Sequence, residues 1–125
     1  MTKIIIETAE RIERVTVKGH AGYADAGEDI VCAGISTLTF AAGIALERYN
    51  LPAKINQDEL QAEFVIIPEW AQMSKEEVIR AETILSSLVW ALEDLANSYA
   101  KYVKLDKVRR WQRCSVLIFS FLLAK

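Results

Sequence analysis

Between Val78 and Tyr102 apolar residues recur at alternating steps of three and four: Val78, Ala81, Leu85, Leu88, Leu92, Leu95, Tyr99 and Tyr102. This spacing puts one apolar stripe along an α-helix, and such a helix gains most of its stability only where the stripe is covered. Ser74-Lys75-Glu76-Glu77 reads as the start of the helix, a capping box in which the serine oxygen and the Glu77 carboxylate each satisfy a free backbone amide. The same stripe could serve a coiled coil, but the remainder of the chain supplies a sheet on which to lay it. Trp90 and Ile84 fall off the stripe and are candidates for a subunit contact.

The sheet is written in two pairs of short β-rich runs. Lys3 to Thr8 and Ile12 to Lys18 read as a hairpin, and Ala53 to Asp58 with Leu60 to Ile67 as a second pair ended by Pro68. Between them Val31, Ile35, Leu38, Ala42, Ala45 and Tyr49 recur at helical spacing, and Asn50-Leu51-Pro52 stops that helix. The order β-β-α-β-β-α implies an α+β fold, a two-layer sandwich of a mainly antiparallel sheet covered by two helices. At 125 residues and 52% hydrophobic composition the chain can bury one continuous core.

Charge and cysteine content narrow the chemistry. A net charge of -2 and a pI near 5.5 give no general basic excess for nucleic acid, so no direct nucleic-acid binding is expected. The apolar run near the N-terminus is only Ile4 to Ile6, too short for a signal-peptide core, and the chain is read as cytoplasmic. With two cysteines far apart, Cys32 and Cys114, and a single histidine, neither a disulfide framework nor a common zinc site is expected, and no cofactor is called for.

The chemistry concentrates between Gly19 and Ser36, in GHAGYADAGEDIVCAGIS, where a glycine-rich loop separates His20 from Cys32. Asp29 is a good N-cap, which puts Cys32 in the first helical turn. There the helix dipole and free amides favour negative charge on the sulfur, and they could also hold a developing oxyanion. An imidazole folded back from His20 could take the thiol proton and return it to a leaving amine. Ser36, four residues on, lies on the same helical face, and Thr39 and Gly43 continue that strip. Gly22 and Gly27 supply the backbone freedom for the loop to open and close. Each residue also has a plainer reading: Cys32 as a small core hydrophobe, His20 as a loop residue, Asp29 as a cap alone, Ser36 as a helix serine in solvent.

The same stretch resembles the ribosomal-processing cysteine protease family, Prp, in Gly19-His20-Ala21-Gly22-Tyr23-Ala24, Gly27-Glu28, Asp29-Ile30-Val31-Cys32-Ala33 and Ser36. The resemblance implies a homodimeric two-layer protein. Its implied activity is to remove the N-terminal extension of the large-subunit ribosomal protein numbered twenty-seven. It makes His20 and Cys32 a catalytic dyad, Asp29 a supporting acid, and Ser36 a site-lining residue, with Gly19, Gly22 and Gly27 at the substrate. Phe40-Ala41 departs from the family's more polar pattern.

Residues 1–105 are read as the peptidase domain and 106–125 as an atypical tail, in which Lys107, Arg109, Arg110 and Arg113 surround Trp111 ahead of the apolar run Val116 to Ala124. That run is about half of the ~20 residues a membrane helix requires, so no membrane span is expected. Two rival readings stand beside the peptidase. One is a non-enzymatic dimeric module that binds ribosomal components through the basic tail. The other is a redox-sensing thiol at Cys32.

Overall fold

The computed structural model describes residues 1–25 and 27–110; the tail features at Trp111, Arg113, Cys114 and Val116 to Ala124 lie outside the described residues. The chain runs β1 (Thr2–Thr8), β2 (Ile12–Lys18), α1 (Ile30–Arg48), β3 (Ala53–Asp58), β4 (Glu63–Pro68), a 3-10 turn (Trp70–Gln72), α2 (Lys75–Ser98) and β5 (Val103–Arg109). The strands form one sheet in the order β3-β4-β2-β1-β5. Neighbours are antiparallel except β1 and β5, which run parallel.

Register explains the core. Ile4 pairs with Val17 and Ile6 with Val15, Val15 pairs with Ile66, and Thr2 with Val103, so the inward residues of four strands line up in rows. Because strand side chains alternate faces, these rows share one side of the sheet. There they meet Val31, Ile35 and Leu46 of α1 and Ala81, Leu85, Leu88 and Leu92 of α2, all buried. Leu85 and Leu92 have no exposed surface, and truncating either to alanine is expected to cost about 2–5 kcal/mol. The helices also pack on each other, with Gly34 facing Leu95: a Cβ at Gly34 would sit 3.2 Å from Leu95 Cδ1.

Among the described residues only α1 has the length and mean hydropathy, 1.7, of a membrane span. Here its Val31, Ile35, Ala42 and Leu46 side is buried in the core. The capping box at Ser74 forms as read, with Ser74 Oγ accepting the Glu77 amide and Glu77 Oε1 accepting the Ser74 amide.

Three boundaries differ from the sequence reading. The fourth strand begins at Glu63, because Asp58 Oδ1 accepts the Gln61 amide, Leu60 is wholly exposed, and Ala62 turns the chain with a φ of 47°. The long helix ends at Ser98, while Tyr99 and Tyr102 still pack against the core from the connection beyond it. A fifth strand follows, and the boundary set after Leu105 falls inside it. Its outer half is tied down by Arg110, whose amide donates to Thr8 O at 2.7 Å and whose guanidinium pairs with Glu7, and by Lys107, which pairs with Glu93.

Candidate active site

The loop from Gly19 to Asp29 is fastened at several points by its own backbone. Gly19 has a φ of +88°, and a Cβ there would lie 2.9 Å from the Met1 carbonyl oxygen, so the close strand-to-loop junction requires glycine. Its amide donates to Ala62 O at 2.9 Å, joining the loop to the β3–β4 turn. Further on, the Tyr23 amide donates to Asp29 Oδ2 at 3.0 Å. The Tyr23 ring meets Tyr102 and Tyr99 edge-on, with centroids 5.2 and 5.9 Å away. Gly22 and Gly27 also have positive φ, 71° and 88°, but nothing lies within 4 Å of a Cβ built on either. At both, glycine is favoured by the backbone conformation and not by a close neighbour.

Asp29 caps α1 as read. Its Oδ1 accepts the amides of Val31 and Cys32 at 3.0 and 2.9 Å, and its backbone oxygen accepts that of Ala33 at 3.0 Å. The Cys32 amide above all, then those of Tyr23 and Ala24, hold the carboxyl below the usual carboxylate range, against a smaller opposing effect of desolvation. This corrects one expectation. The amides at the helix start that were expected to be free for an oxyanion are already taken by Asp29.

Cys32 is half-buried in the first turn of α1. Its sulfur accepts the main-chain amide of Ala21 at 3.1 Å. His20 and Cys32 line the same cleft, with no hydrogen bond between imidazole and sulfur among the described residues. That cleft, of about 250 Å³, is also lined by Gly19, Ser36, Thr39, Phe40 and Phe64. Phe40 and Phe64 meet edge-on at 5.3 Å and form its apolar wall, while Asp58, Glu59 and Glu63 lie along the β3–β4 side. A second depression beside Cys32 is lined by Gly22, Gly27, Asp29, His20 and Ser36. Cys32, His20 and Ser36 thus border both depressions. Thr39 is buried and spends its hydroxyl on Ile35 O at 2.9 Å. Gly43 lies under the Phe64 ring rather than in the cleft lining.

Gly19, His20, Gly22, Gly27, Asp29, Cys32 and Ser36, the candidate site residues read from the sequence, each border one or both of these depressions. The sequence reading missed Ala21, whose role is carried by a backbone amide, and the Tyr23, Tyr99 and Tyr102 cluster, which joins residues far apart in the chain. Phe64 could have been suspected from its place at the start of a β-rich run, but not its pairing with Phe40. Among the described residues no group of three or more His, Cys, Asp or Glu side chains is placed to hold a metal ion.

Comparison with known proteins bears on the same region. Residues 1–104 match the family model described as cysteine protease Prp. A ribosomal processing cysteine protease Prp from Mycoplasma pneumoniae is 27% identical over 97 residues, covering 78% of this chain and 89% of the relative. The structure superposes on the S. aureus ribosomal processing protease Prp in complex with a covalently linked product peptide, with a TM-score of 0.76 at 24% identity, covering 86% of this chain and 99% of that one. A Streptococcus mutans protein gives a TM-score of 0.73 at 22% identity, over 88% and 96% of the two chains. The likeness to these solved structures shows the fold.

Proposed function

Because this chain belongs to the cysteine protease Prp family, we propose that it is a thiol endopeptidase that removes the N-terminal extension of the large-subunit ribosomal protein numbered twenty-seven. The observation that carries this reading is the placement of the Cys32 sulfur, in the first turn of α1, on a cleft shared with the only histidine of the chain.

In this reading His20 takes the thiol proton and Cys32 attacks the scissile carbonyl. The tetrahedral adduct collapses as the imidazolium protonates the leaving amine, and water then hydrolyses the thioester with His20 as base. Asp29 supports the site by ordering the helix start and the Tyr23 end of the loop, and Ser36 borders the path of the peptide.

The protein acts in the cytoplasm as a homodimer. Trp90 on α2 supports the dimer, since it is 67% exposed and a large aromatic left in water favours a partner surface. The rival module reading relies on basic residues after Leu105. Of the three described, two form surface ion pairs within the chain, Lys107 with Glu93 and Arg110 with Glu7, while Arg109 is exposed.

The test is mass spectrometry of an N-terminally extended ribosomal protein after incubation with this protein and with its Cys32→Ala form. The peptidase reading expects a shortened product with the first and none with the second. Equal products from both would reject it.

A further inference from the structure

An acyl-transfer site needs a hydrogen-bond donor aimed at the oxygen on which charge develops, and that donor is worth most where water is excluded. The obvious donors here, the amides of Val31, Cys32 and Ala33, are all held by Asp29. An oxyanion placed there would have to displace the Asp29 carboxylate from Val31 and Cys32, or its backbone oxygen from Ala33, and would then face that charge. The donor must come from another element.

One amide already faces the reacting atom. Ala21 is only 3% exposed, and its N–H donates to Cys32 Sγ at 3.1 Å. It is fastened on both sides: before it, the Gly19 amide holds Ala62 O, and after it, the Tyr23 amide holds Asp29 Oδ2. The Tyr23 ring adds its contacts with Tyr99 and Tyr102. A buried donor held in place before the reaction costs little reorganisation when charge develops.

Resting on the peptidase reading above, we propose that the main-chain N–H of Ala21 is the oxyanion donor of this site, passing its hydrogen bond from the Cys32 sulfur to the substrate carbonyl oxygen. As a sulfur lone pair forms the C–S bond, the carbonyl π pair moves to oxygen, and the negative charge leaves the sulfur for that oxygen. The N–H that faced the thiolate then faces the oxyanion. On collapse the pair returns to re-form the carbonyl, the C–N bond breaks, and nitrogen takes the proton from the imidazolium. The helix start thus orders the nucleophile while the loop stabilises the transition state.

The test replaces the Ala21 amide by an ester in the full chain, using the α-hydroxy acid counterpart of alanine. The Ala21 ester is expected to lose roughly 10²- to 10³-fold in kcat, the scale for removing one oxyanion donor, with KM little changed. Alkylation of Cys32 by iodoacetamide, measured at a pH where the thiol is fully ionised, forms no oxyanion and should proceed at the parent rate. A folded Ala21 ester that cleaves at the parent rate while Cys32→Ala is inactive would overturn this assignment and leave the peptidase reading intact. Cleavage by Cys32→Ala would overturn both. In the unmodified chain, a peptide aldehyde that adds to Cys32 should shift the Ala21 amide proton downfield in NMR spectra, and an unmoved proton would also overturn the assignment.

Discussion

The carboxylate of Asp29 holds the main-chain amide of Cys32 at 2.9 Å, so the candidate nucleophile's own N–H is committed to the helix cap. The other oxygen of Asp29 holds Tyr23 across the loop. One side chain therefore ties the start of α1 to the loop that carries His20.

This gives a pH dependence of known sign. The folded-state pKa of Asp29 lies below its ordinary value, chiefly through the Cys32 amide. The stability it contributes is therefore present above the ordinary carboxylate range and lost as pH falls through the lowered folded value. Asp29→Asn keeps an acceptor for the helix amides but cannot ionise. Its melting temperature should fall below that of the parent at neutral pH, and the gap should close on acidification. A gap independent of pH would show that the charge contributes nothing.

The loop glycines should separate by mechanism. Gly19→Ala meets the Met1 carbonyl at 2.9 Å and keeps a φ of +88°, whereas Gly22→Ala and Gly27→Ala face open space and lose only the left-handed backbone preference, about 1–2 kcal/mol. Denaturant unfolding should rank Gly19→Ala clearly below the other two. Equal costs would remove the close approach at the junction as a cause.

Much of the architecture was legible because it rests on local periodicity. The stripe from Val78, the capping box at Ser74 and the hairpin to Lys18 are all written in neighbouring residues. The fifth strand was not read because its alternation is short: Val103 and Leu105 point inward, but the next inward position is Lys107, which is held by Glu93. Its partner, β1, lies at the far end of the chain, and parallel pairing leaves no turn signal. At the site, the residue types of His20, Asp29 and Cys32 were readable. The competition between Asp29 and an oxyanion for the same amides was not, since it depends on where each hydrogen bond goes.

The fifth strand makes its own prediction. A chain ending at Leu105 removes the outer half of β5, including the Lys107 and Arg110 ion pairs, whereas one ending at Arg110 keeps them. Thermal unfolding should occur at lower temperature for the chain ending at Leu105. Coincident transitions would show that residues 106–110 add nothing to the sheet.

Trp90 tests the proposed dimer. Trp90→Glu replaces an exposed aromatic with a charge and touches no core residue of the stripe, so the fold should be kept while sedimentation shifts from dimer to monomer. A parent chain already monomeric at micromolar concentration, or a variant that stays dimeric, would place the contact elsewhere or remove it.

The central claim is that the Cys32 sulfur forms the covalent bond to substrate. Acid quenching during turnover of the extended ribosomal protein, followed by intact and peptide mass spectrometry, reads that bond directly. The account predicts an adduct equal to the released N-terminal extension as its acyl group, carried on the peptide containing Cys32, and neither adduct nor cleavage in a folded Cys32→Ala protein. Cleavage by folded Cys32→Ala, or an acyl group found on another residue, would contradict it.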